Sequence, residues 1–315
     1  MDNLIFSLNA TIPVFLVMVL GYFFHKIRLV DDSFVKTLNS FNFKVTLPVL
    51  LFQDLSSSDF RSVWDTKYVL FCFFATLISI ILIWIITAKL YHKKDYVGEF
   101  VQASYRSSAA ILGIAFIQNI YGEAHMASLM IIGTVPLYNV MAVVVLSFLR
   151  PGQNAIDGQL MKKTLKGIVT NPIILGIAAG TLWALLKIPQ PVFFQKTVHN
   201  VGVLATPLGL MAMGASVDGS KVKETWKPAL LAVFLKLMFL PMICLPAAIA
   251  MGFSQEKLIA VLVMAGSATT VSSYIMAKNM GHEGHLTSAV VMLTTLLSAF
   301  TLTGWLFLLK TAGMV

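Results

Sequence analysis

Carboxylates are scarce in this chain: 14 Asp and Glu stand against 23 Lys and Arg in 315 residues, and charged residues of all kinds reach only 12%. None lies near the middle of a long apolar run; Asp54, Asp59 and Glu99 fall at or near the ends of such runs. A sodium or calcium cage built of carboxylates is therefore not visible. Cysteine is nearly absent as well. Cys72 and Cys244 sit inside apolar runs with no metal-ligand spacing, so they read as small packing residues rather than a disulfide or a metal site. The histidines form no ligand set; His282 and His285 merely flank a short loop. No GxSxG, no HExxH and no paired buried carboxylates occur. An intramembrane protease or transferase would thus lack its nucleophile, base or metal. The expectation is a protein that is not an enzyme and holds neither cofactor nor metal.

What is plentiful is apolar. Hydrophobic residues make up 57% of the chain, more than a soluble protein of this size can hide, and they are spread along its whole length. Crossing the hydrocarbon takes about 20 mostly apolar residues. Ten stretches qualify, near 4–24, 38–54, 68–90, 98–120, 125–149, 168–187, 195–215, 227–251, 257–279 and 286–309. The expected class is an all-α integral membrane protein. The first stretch follows Asp2 and no basic residue, so it reads as a retained span and not a cleaved leader.

The net charge of +9 is topological. After odd-numbered spans stand 14 basic residues: Lys26, Arg28, Lys36, Lys89, Lys93, Lys94, Arg150, Lys162, Lys163, Lys166, Lys221, Lys223, Lys227 and Lys278. The other side carries six, Arg61, Lys67, Lys187, Lys196, Lys257 and Lys310. The positive-inside rule then puts the odd loops in the cytoplasm and both termini outside a cytoplasmic membrane. No basic cluster interleaves with aromatics, so nucleic acid is not an expected partner.

A shift of 159 residues superposes the two halves without a gap. It lays Pro13 on Pro172, Gly21 on Gly180, Pro48 on Pro207, Ser57 on Ser216, Asp59 on Asp218, Ser108 on Ser267 and Gly122 on Gly281. Sustained coincidence of proline and glycine favours a duplication. Each half, 1–150 and 167–315, holds five spans, an odd number, so the second copy enters the membrane inverted. Residues 151–166 form a polar cytoplasmic linker.

One segment breaks the apolar pattern conspicuously. MAGSATTVSSYIMAKNMG, residues 264–281, carries Ser267, Thr269, Thr270, Ser272 and Ser273 just after Gly266. Under the shift it matches 105–122, which carries Arg106, Ser107, Ser108 and Gly113 behind Ser104. Equivalent spans of inverted halves are where such carriers break their helices and bind substrate. Unwound backbone at that depth must be buried in protein or line a wet cavity. Hydroxyls and glycines suit that setting, although they also serve ordinary helix contacts. Arg106 and Lys236 add charge inside the bilayer, where ionisable residues are functional candidates. Cations and hydroxyls without a facing carboxylate suit an anionic ligand. Two other readings stay open: Arg106 snorkels to the cytoplasm, or Lys236 bonds carbonyls freed near Pro241.

NPIILGIAAG (171–180) followed by ATPLGLMAMGASVD (205–218) resembles the second-half signature of the auxin efflux carrier family. VLGYFF, LNSFNFKVTLPVLLF (38–52) and PLYNV (136–140) agree in the first half, so the resemblance covers essentially the whole chain. It implies a ten-span inverted-repeat carrier of organic anions whose fourth and ninth spans break and cross at the substrate. It adds Asn139 to the site candidates. Plant members carry auxin; bacterial members are associated with malate, malonate and other carboxylates, and the short linker looks bacterial. A co-transported proton is a candidate second passenger, and members can pair as homodimers. In the fourth span Arg106 and Gly113 match the family's pattern, while Ser108 stands where Asn is common and Ala115 where Pro is common. The rival class is an anion channel or a transporter-like sensor.

Overall fold

Short polar side chains mark several helix starts. Asp31, Asp65 and Asn171 accept the backbone N–H of Phe34, Tyr68 and Ile173 at 2.7, 3.0 and 2.9 Å, satisfying donors that a first helical turn leaves orphaned. Pro172 follows its cap at the first helical position, where its missing N–H costs nothing. The computed structural model describes residues 2–57, 64–91, 95–109, 114–122, 125–152 and 158–315, and these are all-helical, without strands.

The first half runs α1 (Asp2–Lys26), α2 (Asp32–Phe41), a π turn (Asn42–Thr46), α3 (Leu47–Ser56), α4 (Thr66–Leu90), α5 (Val97–Tyr105), α6 (Ile114–Tyr121) and α7 (His125–Phe148). The second runs α8 (Gly158–Val169), α9 (Pro172–Leu185), α10 (Val192–Gly202), α11 (Ala205–Ala215), α12 (Gly219–Phe234) and a π turn (Leu235–Phe239). It continues through α13 (Leu240–Ala250), α14 (Gln255–Gly266), α15 (Val271–Asn279) and α16 (His285–Thr311).

Hydropathy alone predicts ten spans. By length and composition, six described stretches can cross a membrane: Thr66–Leu90, Met126–Phe148, Val192–Ala215, Glu224–Ala250, Gln255–Asn279 and His285–Thr311. A seventh is added if Met161–Val169 and Pro172–Leu185, bent by 48°, count as one. The difference has physical causes. The expected fourth span is split into helices of 9 and 8 residues. The expected second span begins with the polar helix α2 and passes through a π turn before α3.

Burial sorts the helices into an inside and an outside. Every residue of α5 is buried, as are Leu258–Gly266 of α14 and Ser272–Ala277 of α15. By contrast α4 leaves Leu70, Phe74, Ile78 and Ile85 about half exposed on its outer face, the surface that lipid covers. The interrupted helices thus run through the middle, where freed backbone groups can find partners.

Glycines let helices from the two halves touch backbone to backbone. A Cβ on Gly21 would land on the backbone of Met211, and one on Gly214 on the backbone of Met18, locking α1 against α11. The same holds for Gly176 against Pro48 and Gly180 against Phe52, between α9 and α3. Small residues at such contacts are how membrane helices gain packing energy. Gly214→Ala should therefore lower the melting temperature of the detergent-purified protein, overpacking costing about 1–3 kcal/mol. Gly304, around which a Cβ meets nothing within 4 Å, is the control and should tolerate alanine. Equal melting temperatures for the two variants would refute the close approach.

Two buried or half-buried acids tie the halves together. Glu99 of α5 accepts the N–H of Gly284 at 2.7 Å and of Thr287 at 2.9 Å, capping the start of α16. Glu256 of α14 accepts the N–H of Met126, in the first turn of α7, at 2.7 Å. Each carboxylate faces the positive end of a helix dipole from the other half.

Candidate functional site

Both interruptions are real breaks. After α5 the chain turns extended at Arg106, with ψ at 139°, and after α14 it is extended at Ser267 and again at Thr270, with ψ at 166° and 144°. No proline is needed, because the orphaned groups find partners across the break. The two extended segments meet: Ser108 N–H donates to Ala268 O at 2.9 Å. Thr269 Oγ1 donates to Ala103 O at 2.8 Å, and Gln102 Nε2 to Ser273 O at 2.7 Å. Ser107 Oγ donates to Met264 O, which also receives Tyr138 OH at 3.1 Å. Thr269 N–H, with no helical acceptor, turns to Thr294 Oγ1 at 3.0 Å. Hydroxyls here do the work of the missing helical ladder.

Arg106 is 2% exposed. Its guanidinium donates to Asn139 Oδ1 at 2.9 Å, Ser272 Oγ at 2.8 Å and the Met276 sulfur at 2.8 Å, all neutral acceptors, while Nε has no partner. A buried cation met only by neutral groups retains capacity for an anion. Asn139 is itself held by its amide on Val135 O at 2.9 Å.

A cavity of about 300 Å³ opens at this crossing. Arg106, Ser107, Ser108, Asn139, Thr269, Thr270 and Ser272 lie on its wall. The remaining sequence candidates lie elsewhere. Ser104 and Ser273 spend their hydroxyls on Phe100 O at 2.7 Å and Thr270 O at 2.6 Å. Gly266 lets α14 approach α13: a Cβ there would sit 2.8 Å from Pro241 Cγ. Ser267 is fully buried, and its hydroxyl has no partner. Gly113 falls outside the described residues. Lys236 sits behind the wall, donating to Ser107 Oγ, Ala265 O at 2.6 Å and Met264 O at 3.4 Å. Neither open reading of the cations fits. Arg106 is enclosed rather than snorkelling, and the carbonyls Lys236 holds are those freed by the α14 break, not those near Pro241.

Sequence reasoning did not single out several wall residues. Thr11, Tyr138, Thr206 and Thr295 contribute hydroxyls, and Asp54 contributes a carboxylate. Asp54 had a legible signal. Leu47, Leu50, Leu51 and Asp54 follow the i, i+3, i+4, i+7 spacing of one helical face, and all four line the cavity.

The sequence model of the membrane transport protein family matches residues 6–306. The chain belongs to that family, which is the auxin efflux carrier family. It is a membrane transporter. Among relatives, the "Putative malonate transporter" of Rhizobium meliloti (strain 1021) is 26% identical over 149 residues, 47% of this chain and 46% of that protein. The match thus spans about half the length of that relative. The "Uncharacterized transporter YfdV" of Escherichia coli (strain K12) is 21% identical over 277 residues, 84% of this chain and 85% of that one. In fold, the chain is similar to the sodium proton antiporter MjNhaP1 from Methanocaldococcus jannaschii. That match has a TM-score of 0.62 at 13% identity and covers 96% of this chain and 97% of that one.

Proposed function

We propose that this transporter is a secondary carrier that moves a small organic anion, a carboxylate of the malonate or malate kind, across the cytoplasmic membrane by alternating access. The observation that carries this reading is Arg106, a buried guanidinium on the wall of a cavity, with neutral partners and an unused Nε. The first turn of α15 adds to it. Val271 and Ser272 line the same cavity, so the positive end of a half-helix dipole faces the ligand space. The volume, about 300 Å³, is at the small end for ligand pockets and suits a short acid. The malonate-transporter relative supports the carboxylate class. Ser107, Ser108, Asn139, Thr269, Thr270 and Ser272 would hold the anion with Arg106, and Lys236 would serve from behind. Asp54, a carboxylate among the lining residues, is the candidate to carry a co-transported proton.

The architecture in this reading is two inverted five-span repeats, 1–150 and 167–315, joined by the linker 151–166. The ten spans are α1, α2–α3, α4, α5–α6 and α7, then α9, α10–α11, α12–α13, α14–α15 and α16, with most of α8 lying in the linker. Three things support it. The 159 shift carries the Gly21–Met211 contact onto Gly180–Phe52. The ends of α5 and α14, Tyr105 and Gly266, differ by 161 residues, within two of that shift. Glu99 and Glu256 cap each other's half in reciprocal fashion.

Proteoliposomes loaded with unlabelled malonate should accumulate labelled malonate faster than empty ones, as a carrier requires. A channel would show no such trans-stimulation. Malonate should also raise the melting temperature of the purified protein by mass action. For orientation, reporter fusions after Arg150 and Lys223 should read cytoplasm and a fusion after Val315 outside. A cytoplasmic C-terminus would overturn both the span count and the inversion.

A further inference from the structure

Lys236 is fully buried, yet it lies off the cavity wall, and no carboxylate is among the partners of its ammonium. Its three contacts are oxygens, and their origin is informative. Met264 and Ala265 belong to the last turn of α14, so the break that follows leaves their carbonyls without helical donors. The third oxygen, Ser107 Oγ, comes from the other interrupted helix. A half-helix C-terminus, carrying about half a negative charge, together with an unwound-segment hydroxyl forms an oxygen nest. Carriers with discontinuous helices place coupling cations against such half-helix C-termini.

We propose that the Lys236 ammonium is a resident cation that takes the place of a co-transported alkali ion beside the α14 break, and so positions Ser107 and the crossing for the anion. The inference rests on the carrier reading above. Lysine suits the role, being a compact point charge with three donors on a flexible stem. The ammonium satisfies the orphaned carbonyl of Ala265, adds a longer contact to that of Met264, which Ser107 and Tyr138 also reach, and fixes the hydroxyl of Ser107, which does lie on the cavity wall. The arrangement is one-sided: under the 159 shift Lys236 corresponds to Leu77, so α5 has no matching cation. A carrier with a built-in cation at this point should run without sodium.

The test uses malonate exchange in proteoliposomes, with Lys236→Ala and Lys236→Met beside the unaltered chain. Replacing sodium by choline should leave wild-type exchange unchanged. Both neutral variants should lose at least tenfold. Methylammonium should restore much of the exchange to Lys236→Ala, reaching the vacated space past Ser107, but none to Lys236→Met, whose side chain fills that space. Methylammonium should likewise raise the melting temperature of Lys236→Ala and not that of the wild type. The proposal is overturned by wild-type exchange that needs sodium, by full activity of Lys236→Met, or by methylammonium leaving Lys236→Ala unchanged in both readouts. If the wild type exchanges no malonate at all, the carrier reading has failed on its own, and the melting shift still decides the resident cation. Should neither neutral variant yield folded protein, the choline substitution decides: persistence of wild-type exchange supports the proposal and its loss overturns it.

Discussion

Arg106→Ala should cut malonate exchange by about thirtyfold or more without harming folding. The guanidinium meets Asn139, Ser272 and the sulfur of Met276, none of which carries charge. Truncating one partner of a buried charged pair costs about 2–5 kcal/mol of binding, which converts to roughly 30- to several-thousand-fold. In the empty protein the same group is a burden, since a buried cation without a counter-ion is costly and neutral replacements are often tolerated. The melting temperature of unliganded Arg106→Ala should therefore equal or exceed that of the wild type. Malonate should raise the wild-type value and leave the variant's unmoved. Arg106→Lys should fall between, keeping the charge but losing the planar fork whose Nη2 bonds Asn139 and Ser272 while Nη1 meets Met276. Near-normal exchange by Arg106→Ala would make the arginine a packing residue and remove the anion site from this crossing.

The second large effect separates neighbouring hydroxyls that look alike in sequence. Thr270 lines the cavity and Ser267 does not. Thr270→Leu should fill the ligand space and cut exchange tenfold or more, with little change in melting temperature. Ser267→Leu, at a position with no exposure, should instead lower stability by about 1–3 kcal/mol through overpacking. Cysteines at Thr270 and Ser108 should react with a small polar thiol reagent and be protected by malonate, whereas a cysteine at Ser267 should stay inert. The native Cys72 and Cys244 are buried and should contribute no background. Inert cysteines at both Thr270 and Ser108 would mean that the cavity is not the transport path and that these hydroxyls only join helices.

Residues 264–281 show how far pattern reading reaches. A cluster of hydroxyls in an apolar run signals an interruption, because such groups compete with the helical ladder, and the chain does leave the helix at Ser267–Thr270. The pattern does not say which hydroxyl faces the ligand. Ser267 and Thr269 sit two residues apart, yet only Thr269 reaches the cavity wall. In a regular extended segment residues two apart share a face, so periodicity would group Ser267 with Thr269; their different fates are set by neighbours that lie far away in sequence. Asp54 was passed over for a related reason. Hydropathy sees it at the end of a span, whereas the α3 face that carries it is turned inward.

The sequence by itself determined the class of this protein, an all-helical transporter in the membrane, and the places where its helices give way. Composition, apolar run length and local hydrogen-bonding chemistry act within about 20 residues, and they are written in order along the chain. Only the tertiary structure decided the partners of the charges. Lys236 meets the carbonyl of Ala265 and the hydroxyl of Ser107, which is 129 residues away, and Arg106 meets Ser272 across 166. Glu99 reaches the start of α16 across 188. Periodicity reports which residues share a face but not which faces meet. In a membrane, where hydrophobicity drives no helix toward another, that choice falls to glycine contacts such as Gly214 on Met18 and to buried polar groups seeking partners.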